Sequence, residues 1–127
     1  MSTTPTRTTG MDIAHVLAQH QRLTLYGNAD HVDDPLLAAG FMFDPEFYAE
    51  VDAAREWIVE HLAPLPYGSR KIGPVTWALR MLMLADTGRC VSEGAFIVAA
   101  VQAGAAVTWQ PERRDVILNA AFGGFTR

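Results

Sequence analysis

The chain has 127 residues, half of them apolar and 19% charged, with a formal net charge of −4. That length supplies one ordinary core and one domain, and this apolar content sets the bulk of the chain apart from disordered sequences. A single cysteine, Cys90, rules out an intrachain disulfide; the start lacks an apolar leader, so a cytoplasmic protein is expected.

Charge is unevenly spread. Residues 1–69 hold three Arg and ten Asp or Glu, a balance of −7, whereas residues 70–127 hold seven Arg or Lys and four acids, a balance of +3. Such asymmetry describes two solvated faces, or an acidic surface for a basic partner and a basic patch for an acidic one.

Residues 1–10 are polar and Thr-rich and are expected to form a disordered tail, leaving 11–127 as a single helical domain. Met11 to about Leu25 predicts a first helix through Ile13, Val16 and Leu17. His15 and His20 stand five apart and so face different ways, which makes them a poor helical metal pair. Gly27-Asn28 breaks that helix. Asp30, His31, Asp33 and Asp34 then cluster before Pro35 without the glycine and final glutamate of a calcium loop, so a plain turn or helix start is expected there and no metal site. Leu36 to Ala39 predicts a short helical turn ended by Gly40. Phe41, Met42 and Phe43 are expected to anchor the loop on the core.

Asp44-Pro45-Glu46 has the signature of a helix start: a cap, a proline at the first helical position and an acid in the first turn. Phe47, Val51, Ala54, Ile58 and Leu62 mark its buried face. Glu46, Glu50, Glu56 and Glu60 mark a solvated acidic side. Ala63-Pro64-Leu65-Pro66 ends this helix, and 67–71 is expected to be an exposed loop.

The central feature is the stretch 70–109. Gly73-Pro74 to Thr87-Gly88 predicts a helix apolar nearly all round, suited to a core or an interface, with Arg80 as its interior charge. Such a cation needs water or an acidic partner. Ser92 is a good cap for a second apolar helix, with Glu93 in its first turn and Gly104 as its stop. Val107-Thr108-Trp109 suits a short extended segment. Pro111 predicts a last helix through Val116, Ile117 and Leu118, and Phe122 and Phe125 in the apolar end dock on the core or on a partner. The expected fold is therefore all-α: a compact domain of four to five helices around a buried central helical hairpin.

No phosphate loop, zinc ligand set or nucleophile elbow is found, so catalytic residues, cofactors and metals are each expected to be absent. The second central helix offers only Gln102 as a base-reading side chain, which weighs against a DNA-reading helix-turn-helix.

Three stretches of the C-terminal half fit a shared pattern. Thr76-Trp77-Ala78-Leu79-Arg80 corresponds to Ser-Tyr-x-Leu-Lys. Cys90-Val91-Ser92-Glu93-Gly94-Ala95-Phe96-Ile97-Val98-Ala99-Ala100 corresponds to Tyr-x-Ser-Asn-Gly-x-Phe-Ile-x-Ala-Ala, followed by Gly104. Asn119-Ala120-Ala121-Phe122 corresponds to Asn-Ala-x-Phe. Over residues 70–127 the chain thus resembles a loosely defined group of small uncharacterised bacterial, phage and plasmid proteins, from which it departs at 76, 77, 80, 90 and 93. The resemblance implies a phage or mobile-element accessory protein in which 76–80 and 90–97 form one structural unit.

The leading expectation is a non-enzymatic protein-binding module that modulates or inhibits a host protein by occupying its surface. Its expected partner is a host protein or a second copy, with a homodimer as one form; nucleic acid is less favoured and no membrane is involved. The expected partner-binding residues are Arg70, Lys71, Trp77, Arg80, Arg89, Arg113, Arg114, Phe122 and Phe125. The alternatives are a DNA-binding regulator that uses those cations on phosphates, and an enzyme whose site is assembled from distant residues. A pocket holding Arg80, Ser92 and a histidine together would favour the enzyme.

Overall fold

The computed structural model describes residues 7–29, 33–64, 74–110, 112–118 and 120–122. The fold is mixed α/β. Among the described residues, five helices are joined by three antiparallel two-stranded pairs, which corrects the all-α expectation. The helices are α1 (Gly10–Gln19), α2 (Pro35–Gly40), α3 (Pro45–His61), α4 (Thr76–Thr87) and α5 (Glu93–Gln102). The strands are β1 (Leu23–Thr24), β2 (Gly27–Asn28), β3 (Leu62–Pro64), β4 (Val107–Trp109), β5 (Val116–Leu118) and β6 (Ala120–Phe122).

Helix starts follow the capping chemistry of the sequence. Asp44 accepts from the Glu46 N–H at 2.8 Å with Pro45 behind it, and the Ser92 hydroxyl accepts from the Ala95 N–H at 3.1 Å. α1 starts one residue before Met11. Thr9 and Asp12 form a reciprocal capping box, and Thr8 gives both its N–H and its hydroxyl to Asp52 of α3. Residues 7–10 are therefore built into the domain, while 1–6 lie outside the described residues. α1 stops at Gln19, and the predicted continuation to Leu25 is instead the small hairpin β1–β2.

The core is built around α5. From Gly94 to Ala100 every residue is buried, and the helix packs chiefly on the Phe47, Val51, Ala54, Trp57 and Ile58 face of α3. Phe96 is fully enclosed and meets Trp57 at a ring separation of 6.2 Å. A buried aromatic of this kind contributes about 2 to 3 kcal/mol of transfer free energy. α4 departs from the expectation of burial all round. Leu79 and Met83 face inward, while Trp77 and Leu84 stand in solvent.

The predicted last helix is a strand. Val107–Trp109 and Val116–Leu118 pair as β4 and β5, and the other edge of β5 meets the entry to α4. The Val116 N–H donates to the Thr76 hydroxyl at 3.1 Å and the Leu118 N–H to the Pro74 carbonyl at 2.9 Å. Three consecutive apolar residues carry no helical or strand period of their own. These distant backbone partners decide their state. β6 pairs with β3, bringing Phe122 opposite Leu62 in register. Phe122 is described as backbone only. Phe125, Arg70, Lys71 and the rest of the predicted 67–71 loop lie outside the described residues, as do Asp30 and His31 of the Asp/His cluster.

Candidate functional site

A hollow of about 790 Å³ opens where α4, the N-terminus of α5, the β1–β2 turn and the 113–115 turn converge. Its charged floor follows from burying an acid in an apolar segment. Glu93 opens α5 and is 7% exposed, so its carboxylate needs partners. Arg80, one helix back, supplies the charge. Its Nε faces Glu93 Oε2 as an ion pair, although the contact lacks the alignment of a hydrogen bond. Its Nη1 donates to the Val91 carbonyl at 2.7 Å. Thr76 donates to Glu93 Oε1 at 2.6 Å while accepting from Val116, so one hydroxyl ties α4, α5 and β5 together.

Asp115, also buried, is held the same way. Arg113 grips it through Nε at 2.7 Å and Nη2 at 3.2 Å, and Gln110 Nε2 adds a contact at 3.3 Å. Glu50 reaches from α3 to accept the Ser92 N–H at 2.6 Å. An acid expected to be simply solvated thus fixes the start of α5, where the helix dipole favours it.

Burial pushes the Glu93 carboxyl above the ordinary range. The Thr76 hydrogen bond and the Arg80 charge pull it back, and the Asp115 charge adds to the rise. A raised folded value means that the folded chain holds this proton more tightly than the unfolded chain. Its stabilising contribution is full below the ordinary carboxyl value of 4.5 and is lost as pH rises through the folded value. We expect wild type to gain stability relative to Glu93→Gln as pH falls from neutrality toward that ordinary value, in urea titrations at a series of pH values. A difference that moves in the opposite direction would mean that the Arg80 charge outweighs burial.

Two close approaches set the wall of this hollow. The Gly94 N–H donates to the Leu25 carbonyl at 2.9 Å, and a Cβ at 94 would lie 2.3 Å from the Thr24 carbonyl oxygen. Gly27, at φ +97, lies so near Arg114 that a Cβ would fall 2.1 Å from its carbonyl oxygen. Both glycines let the β1–β2 hairpin rest directly on α5 and on the 113–115 turn.

Of the expected partner-binding residues, the hollow collects Trp77, Arg80, Arg113 and Arg114. Arg80 and Arg113 are bound to carboxylates of this chain. Arg89 is exposed beside Cys90 and does not line the hollow. Arg80 and Ser92 do share the pocket, but among the described residues no histidine lines it, and Ser92 is occupied as a cap.

The sequence reading missed Tyr26, Phe41 and Phe43. Met42 alone anchors its loop and is fully buried, while the two flanking phenylalanines are about half exposed. In an irregular three-residue turn one side chain points inward, so a run of three apolar residues over-counts the core. Two smaller hollows, of about 290 and 320 Å³, border the first. Tyr26 and Arg114 line both the first and the second, Phe41 both the second and the third, and Leu25 and Glu50 both the first and the third. Among the described residues no group of three His, Cys, Asp or Glu is arranged to hold a metal, and no helix is long and apolar enough to cross a membrane.

Comparisons with known proteins find no family model, no curated protein and no solved structure that matches the chain. The class that fold and site define is a small mixed α/β domain with a charge-braced, aromatic-rimmed hollow. Arg80 and Glu93, two of the positions at which the chain departs from the Lys and Asn of the pattern above, face each other in it.

Proposed function

We propose that the chain is a small protein-binding module without catalytic activity, of phage or mobile-element origin, that modulates a host protein by covering part of its surface. The observation that carries this reading is the placement of its exposed apolar side chains. Tyr26, Leu37, Phe41, Phe43 and Trp77 all line the three adjoining hollows, and among the described residues only Met11, Val59 and Leu84 of the large exposed apolar side chains lie elsewhere. Aromatic side chains grouped over concave surface are the usual anchors of a protein interface. Scattered exposed apolar residues carry no such meaning.

Two features make the alternatives weaker. α5 is enclosed from Glu93 to Ala100, and its one base-reading side chain, Gln102, accepts from Arg55 at 2.8 Å; Arg80 and Arg113 are paired with Glu93 and Asp115. The carboxylates of the hollow are likewise clasped by their own chain, and Cys90, the free thiol that also lines it, has no histidine beside it among the described lining residues.

The test is affinity capture from host lysate, with and without nuclease, using wild type and a Phe41→Ser/Phe43→Ser/Trp77→Ser variant whose circular dichroism matches wild type. The expected result is one protein retained by wild type in both arms and reduced at least about 30-fold by the variant, the loss typical of removing an interface anchor. Retention that disappears with nuclease, equal retention by the variant, or no retention would each contradict the proposal.

A further inference from the structure

We infer that the segment of the partner that docks is basic and studded with apolar side chains, and that it seats at the corner formed by α2, the 41–44 turn and the start of α3. This rests on the protein-binding reading and specifies its chemistry. The corner carries the second and third hollows. At about 290 and 320 Å³ they lie at the lower end of the range for small-molecule pockets and suit one or two inserted side chains each. Leu37 and Phe41 wall the second and Phe41 and Phe43 the third, with Tyr26 at the edge toward the large hollow.

The charge around these apolar walls is predominantly negative. Asp33 and Asp34 line the second hollow, Asp44, Glu46 and Glu50 line the third, and among the described residues Arg114 is the sole cation lining either. Asp34 and Asp44 serve as helix caps, accepting from Leu37 and Glu46, and Glu50 accepts from Ser92. Among the described residues Asp33 and Glu46 have no ion-pair partner. A neutral apolar segment laid here would strip water from these carboxylates without replacing it, and an acidic one would be repelled. Lys or Arg placed between apolar side chains answers both surfaces together. A second copy fits less well, because Arg80 and Arg113 in its basic half already carry carboxylate partners.

A random library of displayed peptides about twelve residues long, panned on the immobilised full chain, tests this. Enriched peptides should combine Lys or Arg with Leu or aromatic residues. They should bind Asp33→Lys/Glu46→Lys at least about ten-fold more weakly than wild type and lose affinity between about 50 and about 300 mM salt. Both substitutions sit on exposed positions, and thermal melting of the variant checks that its fold is intact. Enrichment without basic residues, or equal binding by the charge variant, overturns the inference. A lysate partner that is lost with the Phe41, Phe43 and Trp77 substitutions but indifferent to Asp33→Lys/Glu46→Lys would leave the protein-binding reading standing and remove this one. Failure to enrich any peptide, together with an empty lysate capture, would remove both.

Discussion

Gly94→Ala destabilises the domain by about 3 kcal/mol or more, or prevents folding altogether. The added methyl would meet backbone atoms and not a side chain that can turn aside: the Thr24 carbonyl oxygen at 2.3 Å, Leu25 Cα at 2.8 Å and the Leu25 carbonyl oxygen at 2.9 Å. The hairpin has little freedom to retreat. It is held by Gly94 N–H to Leu25, by Leu25 N–H to Ala38, and by Asn28 N–H to Arg114. Urea unfolding measures the effect, with Gly40→Ala as the control, since a Cβ there meets nothing within 4 Å. A Gly94→Ala variant within about 1 kcal/mol of wild type would show that the hairpin yields, and that the wall carrying Leu25 and Tyr26 is not fixed as described.

Arg80→Met costs about 3 kcal/mol or more, although it replaces a charge with an apolar residue of similar length beside a core. The loss comes from what remains. Glu93 keeps its Thr76 hydrogen bond but loses the cation that faces it, at 7% exposure. Arg80→Met/Glu93→Gln should therefore be more stable than Arg80→Met alone, because neutralising the stranded acid removes the penalty. Equilibrium unfolding of the four members of this double-mutant cycle gives the coupling directly. If the double variant loses as much as the two single variants combined, the pair is not coupled and the floor of the hollow is held by other contacts.

The starts of α3 and α5 were legible because a side chain closes the first turn, whereas the Thr9–Asp12 capping box that starts α1 lay in a stretch read as tail. Asp44-Pro45-Glu46 and Ser92 each satisfy N–H groups two or three residues ahead, and Gly88 in the left-handed region ends α4 as its position suggested. Of the strands only β4 was legible, as the extended segment Val107-Thr108-Trp109; the others are two or three residues long and too short to show alternation. β5 in particular was read as helix. Its state is set by Pro74 and Thr76, some forty residues earlier. The apolar run of α4 also misled. Trp77 and Leu84 satisfy the pattern of a buried helix, but α5 and β5 cover only the side bearing Thr76, Leu79 and Met83.

The site was half visible. A lone arginine inside an apolar helix implied water or an acidic partner, but it did not say that Glu93, and not solvent or an acid of α3, would meet it. Spacing along one chain carries no information about which elements meet. The same limit hid the docking face, since Tyr26, Phe41, Phe43 and Trp77 belong to a hairpin turn, an irregular loop and a helix that only the fold assembles.

Hydroxyl-radical footprinting of the chain with and without its captured partner tests the central claim most directly. The account predicts protection of Tyr26, Phe41, Phe43 and Trp77, while Met11 and Leu84, exposed outside the hollows, react as before. Protection confined to Met11 and Leu84, with the four aromatics unchanged, would place the partner elsewhere and contradict it.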